Sequence, residues 1–128
     1  MRQQPPAATD LKVLRDHVVG KEVSALQVYG VNSLKSVDPS PEHLAGDVIS
    51  DIRAAADGRG LEIALARHAV DIDLARTGTV VLLSDARPWA PSGRSNPPTA
   101  RLILADGSGM EFKEPARTKR ITFSIRRT

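Results

Sequence analysis

The apolar positions of this chain change their period twice. From Thr9, a suitable helix N-cap, Leu11, Leu14 and Val18 recur at helical spacing, Asp10 sits near the positive helix end, and Gly20 closes the segment. KEVSALQVYGV follows, where β-branched residues and Tyr29 predict a strand ending at Gly30, and NSLKSVDPSP reads as a loop. The longest helical pattern is PEHLAGDVISDIRAAADG. Ser40 can cap it, Pro41 suits its first position and Gly58 lies just past its end. Leu44, Val48, Ile52 and Ala55 fall on one face, widened by Ile49 and Ala56, so a helix over about 41–57 lying on a sheet is expected. On it Asp47 and Asp51 form an i,i+4 like-charge pair, either a solvated edge beside Arg53 or an acidic docking edge.

From Leu61 the period becomes two. Leu61, Ile63 and Leu65 occupy odd positions and Val70, Ile72 and Leu74 even ones, so a bulge or corner is needed across Arg67, His68 and Ala69; a helix through LEIALARHAV is the alternative. Thr77 and Gly78 read as a tight turn into VVLLS. VVLLS and RLILA are apolar at both parities and predict inner strands covered on both faces, whereas VDIDL and RITFSIR alternate and keep one wet face each. ADGSGM is a hairpin signal between RLILA and MEFKE, and EPART turns the chain into the last strand. The expected fold is α+β: a mainly antiparallel sheet of five or six strands with two helices. Residues 1–8, with Pro5 and Pro6, read as a lead-in, and 9–128 as a single domain.

Composition changes this picture little. A chain of 128 residues suffices for one self-supporting core. It has no cysteine, which excludes disulfides, Cys-ligated zinc, iron–sulfur clusters and thiol chemistry. Apolar runs of four or five residues support neither a signal peptide nor a membrane span, so no membrane partner is expected and the cytoplasm is the default compartment. The Ala-, Arg- and Asp-rich composition is bacterial or phage in style. Charge matters more. Residues 1–64 sum to −2 and residues 65–128 to +5, and the last fourteen residues carry five basic side chains and no acid. That asymmetry points to an anionic partner.

The last strand would place Ile121, Phe123 and Ile125 on one side and Arg120, Thr122, Ser124 and Arg126 on the other. Arg117, Lys119, Arg120, Arg126 and Arg127 are therefore the candidate anion or nucleic-acid contacts. Arg120 and Arg126 would lie about 20 Å apart and meet separate phosphates. The competing expectation is cross-strand pairing with Asp71 and Asp73, should those strands be neighbours. With four aromatic residues in the chain, base stacking on this face is not expected.

Other chemistry is fragmentary. Asp71 and Asp73 share one strand face as a carboxylate pair without a third ligand. Glu111 to Lys113 matches the E-x-K half of a metal-dependent nuclease site, with Asp85 as the natural first carboxylate; an exposed strand of alternating charge explains it as well. His17, His43 and His68 have no metal-binding spacing, and GRG at 58–60 lacks the helix and lysine of a phosphate loop. No cofactor is called for.

SDARPWAPSGRSNPP remains, a connection of about fifteen residues without regular structure that carries the only tryptophan. Arg87, Trp89 and Arg94 are of the types that dominate interface hot spots. The loop is either a partner-binding loop or a lid over the core. The leading expectation is a non-catalytic interaction protein that binds a protein partner, or itself, through the 85–99 loop and the basic C-terminal strand. A nucleic-acid-binding protein is the first alternative, a metal-dependent nuclease or hydrolase the second.

Overall fold

A computed structural model describes residues 11–29, 33–35, 40–55, 60–74, 78–86, 98–113 and 121–128. They form one helix, α1 (Leu11–Val18), one 3-10 turn (Pro41–Leu44) and eight strands: β1 (Val23–Val28), β2 (Ile49–Ala54), β3 (Gly60–Leu65), β4 (His68–Asp73), β5 (Thr79–Leu83), β6 (Ala100–Leu104), β7 (Gly109–Lys113) and β8 (Thr122–Arg127). The strands make two four-stranded sheets, ordered β1-β6-β7-β5 and β2-β3-β4-β8. Every pairing between them is antiparallel.

The architecture is therefore mainly β, not α+β with two helices. The expected helix over 41–57 is a 3-10 turn followed by a strand, and two local features explain the misreading. Gly46 takes φ +88°, a left-handed conformation that ends helical propagation and suits glycine. In β2 the register steps from Ile49↔Leu65 to Asp51↔Ala64, leaving Ser50 as an extra, bulged residue. That bulge puts Ile49 and Ile52, three residues apart, both into the core, and a spacing of three reads as a helix. β1 has the same irregularity between Val23 and Ala25, and buries Val23 and Leu26.

The change of parity near Arg67 is a hairpin: β3 and β4 pair from Gly60↔Asp73 to Ala64↔Ala69 around an Ala66–Arg67 turn. RLILA is an inner strand as expected, whereas VVLLS lies at the edge of its sheet. VDIDL and RITFSIR each keep one buried and one wet face.

Each sheet turns its apolar face to a shared core. Leu26, Leu102 and Met110 align across one sheet, Ile52, Ile63, Val70 and Ile125 across the other, and all are buried. Phe112 from β7 meets Phe123 from β8 edge to face, with ring centroids 5.2 Å apart and planes at 85°. Both rings are fully buried, and such contacts add to the area term. Backbone bonds tie the two sheets at one place and cover a sheet edge at another. Near the start of β1 and β2, Glu22 bridges Val48, Gly20 N–H donates to Ile49 O, and Val23 N–H donates to Asp47 O. Along the outer edge of β8, Phe123 N–H donates to Ser33 O and Lys35 N–H to Phe123 O, which covers an edge otherwise open to a further strand.

Truncating Phe123 to Ala removes the ring that joins the two sheets, so the unfolding free energy should fall by about 3–5 kcal/mol. Urea titration checks this, and a loss under about 1 kcal/mol would mean that the sheets do not depend on that contact.

Candidate nucleic-acid interface

The alternation of β8 is as expected: Ile121, Phe123 and Ile125 are buried, and Thr122, Ser124 and Arg126 face outward. β4 is its neighbour, with Asp71 opposite Ser124 and Ala69 opposite Arg126. Arg126 donates from Nε to Asp71 Oδ2 at 3.0 Å and from Nη2 to Glu62 Oε2. The bond to Asp71 is the main reason its guanidinium holds its proton more tightly than usual. Charges alternate onward across the same face. Arg53 Nε lies 3.6 Å from Glu62 Oε1 and 3.4 Å from Asp51 Oδ2, and Arg15 Nε lies 3.1 Å from Asp51 Oδ1. Exposed pairs of this kind contribute about 0–1 kcal/mol each. Their larger effect is electrostatic: Arg126 stands in a compensated row, as the cross-strand alternative foresaw, and not in a bare cationic ribbon.

The E-x-K pair is also engaged. Arg101 Nε and Nη2 both approach Glu111 Oε2 at 2.7 Å, and Lys113 Nζ is 3.4 Å from Oε1. Glu111 is buried. Asp85 lies beyond β5, past the Leu83↔Gly109 pair, while Glu111 is opposite Val81. Among the described residues no three His, Asp or Glu side chains gather where they could hold a metal ion.

The backbone places two further arginines at the start of β4. There the Ala66–Arg67 turn meets the end of β8: His68 pairs with Arg127, Ala69 with Arg126, and Thr128 N–H donates to Arg67 O at 3.2 Å. Arg67 and Arg127 are exposed. Beneath them Asp47, only 2% exposed, organises the corner. Its Oδ1 accepts from Val48 N–H at 2.9 Å, and its Oδ2 accepts from Arg67 N–H at 3.0 Å and from His68 Nδ1 at 2.9 Å. Burial pushes this carboxyl up, but the His68 bond, the two backbone donors and the imidazole's charge together outweigh burial and hold it below the ordinary carboxylate range.

Sequence reasoning missed this clasp by placing Asp47 on a helix border. A Gly-Asp pair directly ahead of an apolar run is turn chemistry, and that was the available signal. Of the predicted contacts, Arg126 and Arg127 are adjacent on β8. Arg117, Lys119 and Arg120 lie outside the described residues, as do Arg87, Trp89 and Arg94. The ends of the 85–99 loop are anchored on the first sheet: Ala86 N–H donates to Gly107 O, and Thr99 N–H to Phe112 O.

No protein-family model matches the chain, and no curated protein matches it in sequence. Solved structures do match. A Lactococcus lactis formamidopyrimidine DNA glycosylase in complex with Fapy-dG-containing DNA superposes with a TM-score of 0.71 at 16% identity, covering 92% of this chain and 42% of that one. The same enzyme with abasic-site DNA gives 0.71 and 16%, covering 92% and 41%. A mutant with THF-containing DNA gives 0.70 and 13%, covering 92% and 40%. The chain shares a fold with them. It spans about two-fifths of the glycosylase's length, and at such identities the likeness is one of fold alone.

The clasp predicts an acid response. Because the Asp47 carboxyl lies lower in the folded than in the unfolded chain, its stabilisation is complete above the ordinary carboxylate range, about pH 4, and is lost as pH falls through the folded value. Asp47→Asn should cost about 1–3 kcal/mol at neutral pH and flatten the decline of the urea midpoint between about pH 5 and pH 2. An Asn variant with the wild-type slope would show that Asp47 contributes nothing to acid lability.

Proposed function

We propose that the chain is a nucleic-acid-binding domain whose partner is DNA, and that it meets the phosphate backbone with Arg67 and Arg127 at the corner and with the basic residues that precede β8. The observation that carries this reading is the shared fold with a glycosylase solved repeatedly on DNA. The excess of basic residues in the second half of the sequence, and the convergence of the β3–β4 turn with the C-terminal strand, support it independently. This reverses the order in which the sequence ranks the readings: the interaction-module reading shares the basic C-terminal strand, but its 85–99 loop residues Arg87, Trp89 and Arg94 lie outside the described residues. The proposal takes DNA from those complexes and not their glycosylase chemistry.

Arginine suits the task because its planar fork reaches phosphate oxygens bidentately. Contacts of this kind position a backbone and carry no sequence information. Arg126 is assigned to structure in this reading, since Asp71 and Glu62 already take its donors.

Electrophoretic mobility of a mixed-sequence duplex tests the reading. If about three phosphates are neutralised, affinity should fall roughly 40-fold between about 50 and 200 mM salt. The double variant Arg67→Ala, Arg127→Ala should bind about tenfold or more weakly, while Arg126→Ala changes affinity little. Absence of a shift at about 50 mM salt, or binding indifferent to salt, would refute it.

A further inference from the structure

Among the described residues four strands lie at sheet edges, β1 and β5 in the first sheet and β2 and β8 in the second. Three of them are engaged. Ser33 and Lys35 bond to the outer edge of β8. At the start of β2, Ile49 O accepts from Gly20 N–H and Ile49 N–H donates to Lys21 O, and further along Ile52 N–H donates to the carboxylate of its neighbour Asp51 at 2.8 Å. Leu82 of β5 also has a partner.

β1 differs. Its first residue, Val23, pairs outward with the bend before β2, accepting from Gly46 N–H at 2.8 Å and donating to Asp47 O. Beyond Val23 the edge opens. Tyr29 N–H donates to Thr99 O, and bonding directions alternate along an antiparallel pair, so Gln27 and Ala25 turn their backbone groups toward β6. Leu26 and Val28 therefore turn theirs outward, where neither has a hydrogen-bond partner among the described residues. Such a row is a template for another strand. Facing it is the 3-10 turn, and between them runs a groove of about 560 Å³, lined by residues 24–29 and by Pro41, Glu42 and Ala45. The far wall is firmly held: Leu44 is fully buried, Ser40 N–H donates to His43 Nδ1 at 3.0 Å, and Ala45 N–H donates to Glu42 O at 3.3 Å. Glu42 is exposed and has no ion pair among the described residues.

We propose that this groove binds an extended peptide segment of a partner protein, which joins the first sheet as a fifth strand beside β1. Its backbone exchanges hydrogen bonds with Leu26 and Val28, as in other cases of strand addition to an open edge. Its alternate side chains are apolar on the side of Leu26, and a basic side chain answers Glu42. Residues 24–29 extend over ~17 Å, so about five residues of the partner are held. The site does not rest on the DNA reading. A phosphate backbone carries neither amide donors for the carbonyls of Leu26 and Val28 nor a positive charge for Glu42.

Amide hydrogen exchange and chemical shifts of the full chain test this, with a capped pentapeptide, Thr-Val-Lys-Val-Thr, as probe. In the free chain the amides of Leu26 and Val28 should exchange about tenfold or more faster than that of Gln27. Equal protection would mean that the edge is already filled, and would overturn the proposal. Millimolar peptide should shift Leu26, Val28 and Glu42 saturably and slow exchange at the first two. The same peptide N-methylated at both valines lacks their donors and should not bind. Glu42→Lys, which alters no core residue, should weaken binding about threefold or more. Shifts elsewhere or none, equal binding by the N-methylated peptide, or indifference to Glu42→Lys would overturn the proposal and leave the DNA reading standing. A mixed-sequence duplex that shifts Leu26 and Val28 in place of the peptide would make nucleic acid the occupant and overturn it as well.

Discussion

A carboxylate withdrawn from water must be met by donors, and Asp47 is met by three from two distant stretches of chain. Val48 N–H comes from its own bend, while Arg67 N–H and the His68 ring come from a turn some twenty residues later. The clasp therefore ties the entrance of β2 to the β3–β4 hairpin. The same bend supplies Asp47 O to Val23 N–H, so β1 of the other sheet is held to it as well. Losing the acceptor would leave buried donors without partners at the point where the two sheets are joined, which costs more than the net worth of any one bond. Gly46 belongs to the same device, because its left-handed backbone aims Asp47 inward.

With the corner set, the two faces of the second sheet separate their tasks. Inward, aliphatic rows and Phe123 meet the first sheet, and this burial supplies most of the stability. Outward, Arg15, Arg53 and Arg126 alternate with Asp51, Glu62 and Asp71 in a row whose charges largely cancel. Cancellation there lets a modest surplus of cations count elsewhere. At the end of β8 the exposed Arg67 and Arg127 lie next to the corner that Asp47 and His68 hold together.

The sequence revealed the elements whose apolar period was unbroken. α1 with its glycine stop, the alternating strands VDIDL and RITFSIR, and the ADGSGM hairpin were legible because period two or 3.6 ran without interruption. β2 was not, since its bulge at Ser50 spaces Ile49 and Ile52 like neighbours on a helix, and the pattern carries no mark of the extra residue. VVLLS reads as an inner strand because apolarity on both faces reports burial and not position in the sheet. Arg126 and Arg127 are legible as neighbours on a strand, but nothing local tells that Asp71 and Glu62 claim the first. Asp47 and His68 were unreadable as a pair for the same reason: they meet only once β2 and the hairpin are in place.

The proposed function puts DNA at the corner clasped by Asp47. Amide chemical shifts recorded while a mixed-sequence duplex is added test it most directly. The account predicts that the largest changes fall on Val48, Arg67, His68 and Arg126 to Thr128, with little change on the outer face of the first sheet. Changes concentrated around Gln27, Arg101 and Glu111, or none at any duplex concentration, would contradict it.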